Sequence, residues 1–257
     1  MIQRSLLNKA KNKCRRLVVN GCSYMHVYSM GNGHVDLAEK LRMRTSVKLA
    51  ISGSNNSRIL RTTLKDSYQT IEPTLYVLGM TFINRNELPI LKCSNEESSF
   101  EGKWANPQNF LCKNRWEDFW IEQDTDKFVS LHEKASLFGG LDLTEDLMYR
   151  MLSVCSDLEH RGHRVIMYQQ ADTGYHNYLD TPRLNLLKNN KNIIGDFKWC
   201  SIQWQHSQGV PMEIYPPGSV PSKYGNAPDE MRHRQSGEHH VLNNFLTNYI
   251  EEYKILE

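Results

Sequence analysis

Short apolar runs alternate along the chain with longer stretches of helical period. Leu17, Val18 and Val19 are uninterrupted and closed by Asn20-Gly21, which predicts a strand over 17–20 buried on both faces. Similar runs predict strands over 46–51, over 74–78 with Gly79 at its end, over 164–168 and, more weakly, over 192–194. A loop over 22–33, with glycines at 31 and 33, separates the first strand from a helical pattern at Val35, Leu37, Ala38 and Leu41. The turn over 52–56 opens a helix with Ile59, Leu60, Thr63, Leu64, Tyr68 and Ile71 on one face, and Pro73 stops it. Asp142 and Glu145 have the spacing of a capping box. They open a helix with Leu147, Met151, Cys155 and Leu158 on one stripe and Gly162 as its stop. A last helix over 237–253 turns Val241, Leu242, Phe245, Leu246, Tyr249 and Ile250 inward.

Strands alternating with helices predict a three-layer α/β/α sandwich built on a flavodoxin-like parallel sheet of about five strands. The chain reads as a single domain over 1–257, broken by a region near 85–140 that lacks a clear period. That region carries Trp104, Trp116 and Trp120 with Phe100, Phe110, Phe119 and Phe128. It is too long for a plain loop and reads as an insertion whose aromatic residues form a satellite core, with substrate contact as the alternative. Residues 210–228 hold five prolines and two glycines and read as loop.

Composition narrows the class. A chain of 257 residues, 39% hydrophobic, can bury a full core. Lys+Arg 31 against Asp+Glu 29 gives no general pull toward nucleic acid or an anionic membrane. Arg4, Lys9, Lys11, Lys13, Arg15 and Arg16 make the start locally basic. That stretch reads as a solvated arm or first helix, since no aromatic residue is interleaved to stack a base. No apolar run approaches a membrane span, and none of signal-peptide length follows the basic residues. A cytoplasmic location is therefore expected. The six cysteines form no C-x-x-C pair, which argues against a zinc ribbon and for free thiols. No cofactor, no nucleic acid and no membrane partner is expected, and the oligomeric state is left open.

Open α/β sheets bind ligands beyond the carboxyl ends of their strands. Three loops fall there: Gly21-Cys22-Ser23-Tyr24, Gly53-Ser54-Asn55-Asn56 and Gly79-Met80-Thr81. A fourth segment, 229–240, precedes the last helix and holds carboxylates and three histidines. Acyl transfer needs a hydroxyl, an imidazole to take its proton, a carboxylate to fix the imidazole's tautomer, and donors aimed at the oxyanion. Ser23 is the candidate nucleophile. His233 is the candidate base, with Glu230 or Asp229 to orient it. The Ser23 N–H, the Gly53 N–H and the side chain of Asn55 or Asn56 are the candidate donors.

Other readings accompany these residues. Ser23 can be a turn residue and Asn55 or Asn56 a helix cap. Cys22 is a rival nucleophile that reads better as a small buried hydrophobe. His26 reads as a loop histidine. Arg58 and Arg61 read as solvated or paired on their helix, and Arg85 with Glu87 as an ion pair shaping the pocket or plain surface. His233, His239 and His240 lack the H-E-x-x-H spacing and a cysteine, so no metal is expected.

The set resembles the SGNH (GDSL-like) hydrolase family. Gly21-Cys22-Ser23 in "VVNGCSY" is similar to its first block, Gly53 in "ISGSNNSRI" to its second-block glycine, and "VLGMTFINRNE" in part to its third, with Gly79 matching and Thr81 standing where asparagine is expected. "PDEMRHRQSGEHHVLNNFL" approximates the fifth block, with His233 at the base position, Glu230 at the acid position, Asp229 one residue early and His239 at a later histidine. The variant pattern looks similar to a branch found in phage and marine bacterial genomes. The resemblance implies a serine esterase or deacylase acting on a small ester or an O-acetylated carbohydrate. It also implies that Thr81 takes the third-block donor position, with a shorter reach than asparagine. The competing function is a non-catalytic glycan- or protein-binding module on the same scaffold. A nucleotide-binding flavodoxin-like protein is a weaker alternative, because the first loop lacks a Gly-rich phosphate pattern.

Overall fold

The structure is a computed structural model that describes residues 14–30, 32–51, 54–81, 88–89, 104–105, 140–170, 179–195, 199–209, 212–213, 233–234 and 239–257. Five strands form one parallel sheet: β1 (Arg16–Gly21), β2 (Thr45–Lys48), β3 (Thr74–Met80), β6 (Arg164–Gln169) and β7 (Ile193–Ile194), in the order β2-β1-β3-β6-β7. Two small antiparallel pairs lie apart from it: β4 (Leu88–Pro89) with β5 (Trp104–Ala105), and β8 (Met212–Glu213) with β9 (His233–Arg234). The rest of the proposed insertion over 85–140 lies outside the described residues, as does the basic arm before Cys14.

The inner strands β1, β3 and β6 are largely apolar because both faces of the sheet are covered there, whereas the edge strand β2, Thr-Ser-Val-Lys, is partly exposed. Leu17 and Val19 face one layer and Val18 the other; Leu75 and Val77 alternate with Tyr76 and Leu78 in the same way. One layer holds α3 (Asn56–Gln69) and α4 (Gly140–His160), which bury Ile59, Leu60, Met148, Met151 and Leu158. The other holds α1 (Ser23–Met30), α2 (Gly33–Lys40) and α7 (His240–Glu252), which bury Met25, Leu37, Leu242, Leu246 and Ile250. The protein is thus a three-layer α/β/α sandwich with flavodoxin-like strand order. Among the described residues, no helix is long and apolar enough to cross a membrane.

Several boundaries differ from the sequence reading. The loop predicted over 22–33 contains α1, whose Tyr24, Met25 and Tyr28 are buried. Gly79 does not lie beyond the third strand but inside β3, paired with Gly21. The second strand ends at Lys48, although Leu49 and Ile51 still donate to Val19 O and Gly21 O of β1. Helix α3 stops at Gln69, before Pro73, because Glu72 precedes a proline and Thr70 is already extended. Tyr68 and Ile71 are consequently exposed rather than inward, and the Arg161 guanidinium stacks on Tyr68.

Helix α4 starts at Gly140, so Asp142 lies inside the helix and is not its cap. Its end is as predicted. Gly162 takes φ 82° and His163 N–H donates back to Leu158 O, a Schellman closure. Arg16 is not part of a solvated arm. It opens β1 and grips both carboxylate oxygens of Asp66 at 2.7 and 2.8 Å. Two further helices were not foreseen, α5 (Thr181–Lys188) and α6 (Ser201–Ser207).

Candidate active site

Chain order from β1 runs one way to β2 and the other way to β3, so the sheet's switch point lies between β1 and β3. Ser23 leaves β1 at this crevice after only Cys22, and it is the first residue of α1. A helix that starts directly at a strand end presents its opening N–H groups at the carboxyl edge. Thr81 leaves β3 on the other side of the same crevice. Met25 anchors α1 below it by accepting a bond from Tyr168 Oη at 3.0 Å. Buried Asn20 ties the end of β1 to α3 through Ile59 O at 2.9 Å and the hydroxyls of Thr62 and Thr63 at 2.8 and 3.0 Å.

The second loop divides its two asparagines. Asn55 is the N-cap of α3: its Oδ1 accepts from Arg58 N–H at 2.7 Å. That bond fixes the amide plane and turns Nδ2 away, buried and with no hydrogen-bond partner among the described residues. Asn56 is engaged at both ends by the third loop. Its Oδ1 accepts from Thr81 N–H at 2.7 Å and its Nδ2 donates to Thr81 O at 2.9 Å. Thr81 itself is buried. Ser54 Oγ donates to Ile51 O at 2.7 Å and closes the turn. Gly53 lies outside the described residues, as do Arg85 and Glu87.

Arg58 is not solvated. It is buried and donates to Ser54 Oγ at 3.1 Å and Leu49 O at 3.4 Å, bracing the second loop from beneath. The His26 ring nitrogen Nδ1 sits 3.3 Å from Ala50 O, which links α1 to the chain after β2.

The histidines of the terminal segment separate. His233 is in β9, which lies alongside α1. Its register partner across the antiparallel ladder is Glu213. Nothing in the sequence pattern links these two. His239 lies instead just before α7, where Nε2 pairs with Asp36 of α2 and the ring meets Tyr28 edge-on. Glu230 and Asp229 lie outside the described residues.

One residue missed at the sequence level completes the described floor of the site. Gln170, directly after β6, is wholly buried and accepts the Cys22 thiol proton on Oε1 at 3.1 Å. Cys22 is itself wholly buried.

No family model matches the sequence. No curated protein matches it. A solved structure that aligns with it is that of a Bacteroides fragilis protein assigned provisionally as an acylhydrolase. It is 14% identical, covers 100% of this chain and 97% of the other, and has a TM-score of 0.40.

Proposed function

We propose that the protein is a serine esterase or deacylase of the SGNH type, acting on a small ester or an O-acetylated carbohydrate. Ser23 is the nucleophile, His233 the base and Glu230 the acid that orients it. The observation that carries this reading is the meeting of two distant segments. Ser23 opens α1 at the switch point, and the strand bearing His233 lies alongside that same helix. Catalysis of this kind requires a hydroxyl and an imidazole from distant segments, and the nearness of α1 and β9 supports that requirement for these two segments. Asn55 adds support, because its Nδ2 is a fixed donor with no acceptor among the described residues, as an oxyanion site requires. The Gly53 and Ser23 N–H groups are the companion donors in this reading. Asn56 and Thr81 hold the wall, since their amide and main chain are bonded to each other.

In the reaction, His233 takes the Ser23 proton as the hydroxyl oxygen bonds to the acyl carbon. The alcohol leaves with that proton, and water cleaves the acyl-enzyme by the same path. Hydrolysis of p-nitrophenyl acetate by the full chain and by Ser23→Ala tests the assignment. Turnover that disappears in Ser23→Ala is the expected result; equal rates in both would sink it.

A second reading, a non-catalytic binding module, draws on Thr81, which is buried at the position where the resemblance expects a longer donor. Glycan binding that survives Ser23→Ala, together with no turnover across an ester panel, would favour it.

A further inference from the structure

Helix α1 starts at Ser23, and a helical bond runs from His26 N–H to Cys22 O at 3.0 Å. Residues three apart share a helix face, with Cβ atoms about 5–6 Å apart. Helical side chains also lean toward the N-terminus, so the His26 ring overlies the turn that Ser23 opens. On its other side the ring meets the chain after β2. Nδ1 lies 3.3 Å from Ala50 O, which can only accept, so Nδ1 carries the hydrogen. That chain borders the end of β1, where Ile51 N–H donates to Gly21 O, and leads on to Asn56, which is bonded to Thr81. The ring therefore stands in the wall of the candidate site, between its first two loops. In the neutral ring the bond to Ala50 leaves Nε2 an acceptor. His26 is half-buried, and among the described residues its Nε2 is neither hydrogen-bonded nor sealed from solvent. His34 and His239 differ: each has Nδ1 buried with no hydrogen-bond partner among the described residues.

We propose that His26 Nε2 accepts a hydrogen bond from a substrate hydroxyl beside the scissile ester, which selects hydroxylated esters, such as partly O-acetylated carbohydrates, over plain alkyl esters. The inference rests on the esterase reading. An ester without an O–H offers this nitrogen nothing, because carbonyl and ether oxygens are acceptors themselves. Such an ester would also strip water from Nε2 and leave it unmatched. A partly acetylated sugar carries a hydroxyl on the carbon next to the esterified one, so it brings a donor to the acceptor that overlies the Ser23 turn. The Ala50 bond holds the ring in place before substrate arrives, so the acceptor is already oriented.

The test compares ethylene glycol monoacetate with its methyl ether, which lacks the hydroxyl donor, by acetate release from the full chain. Wild type is expected to favour the hydroxy ester about tenfold in kcat/KM. His26→Phe keeps a flat ring without nitrogens. His26→Asn can still reach Ala50 O with an amide N–H but withdraws the outer acceptor. Both are expected to bring the preference down to about twofold or less. A role confined to bracing the second loop would lower both rates together and leave their ratio unmoved. A variant that is folded by circular dichroism and keeps the tenfold preference therefore overturns the inference. So does a wild type without the preference, or one that hydrolyses p-nitrophenyl acetate but neither glycol ester. In those cases loss of p-nitrophenyl acetate turnover in Ser23→Ala leaves the esterase reading standing. Equal p-nitrophenyl acetate rates in wild type and Ser23→Ala overturn both. If His26→Phe does not fold, His26→Asn decides; if neither folds, the wild-type ratio does.

Discussion

Asn56 and Thr81 exchange two hydrogen bonds, Thr81 N–H to Asn56 Oδ1 at 2.7 Å and Asn56 Nδ2 to Thr81 O at 2.9 Å. The first residue of α3 is thereby locked to the residue that follows β3, across the switch point. Asn56→Ala removes both bonds at a buried position. Thr81 O keeps its bond from Gln169 Nε2 at 3.3 Å, so the larger loss falls on the Thr81 N–H. The expected cost is about 1–3 kcal/mol, read as a lower urea midpoint with an unchanged m-value.

Asn55 combines two roles that one substitution can separate. Serine is as good an N-cap as asparagine, so Asn55→Ser is expected to keep α3 stable to within about 0.5 kcal/mol. It does not replace the spare amide N–H. If that donor serves the oxyanion, kcat on p-nitrophenyl acetate is expected to fall about 100-fold while the urea midpoint hardly moves. An Asn55→Ser protein with wild-type kcat would remove Asn55 from the donor set.

The order of the sheet was legible because buried parallel strands leave uninterrupted apolar runs, and β1, β3 and β6 are such runs. Helix α1 was hidden by its length of eight residues and by the glycines that follow it. Helix α5 did carry a start signal, with Asp180 as cap and a proline in its first turn, but it buries only Leu187 fully and has almost no stripe to read. At the site, two adjacent asparagines cannot be told apart by pattern. Only the partner 25 residues away separates Asn56 from Asn55. Gln170 had no local signal at all, because the thiol that orients it lies 148 residues earlier. That these segments gather at the carboxyl edge of the sheet was legible, but the pairings between them are properties of the folded sheet.

Burial governs the chemistry of two thiols in the core. Burial, reinforced by the charge of Glu159, pushes the Cys155 thiol up to about 12. Burial pushes Cys14 up to about 11. The thiolate is the reactive form, and at pH 8 it is about one part in ten thousand for Cys155 and one in a thousand for Cys14. In native protein at pH 8, neither is expected to react with a disulfide reagent over minutes, whereas both react at once in guanidinium. Mass mapping of the labelled peptides checks this; rapid native labelling of Cys155 would contradict it.

A polar cluster at the opposite end of the sheet sets the acid stability. Asp66 accepts from Arg16 and from Tyr76 Oη at 2.8 Å, and His163 Nδ1 accepts from Thr74 N–H at 3.3 Å. Burial raises the Asp66 carboxyl, but the Arg16 and Tyr76 bonds outweigh it and hold it below the usual carboxylate value. Burial, chiefly, lowers the His163 imidazole. In both cases the unfolded chain binds the proton more readily than the folded one, so stability is lost as pH falls. The His163 contribution is complete above about pH 6.5 and declines below it, and that of Asp66 is complete above about pH 4 and declines below that. Protonated His163 can no longer accept from Thr74 N–H, which gives the first decline a structural cause. The urea midpoint is expected to fall from pH 7.5 to pH 5 and more steeply below pH 4. In His163→Asn, where an amide oxygen can take the Thr74 bond without titrating, the fall between pH 7.5 and 5 is expected to flatten while the steeper loss below pH 4 remains. A slope between pH 7.5 and 5 that is unchanged in His163→Asn would show that other groups govern it.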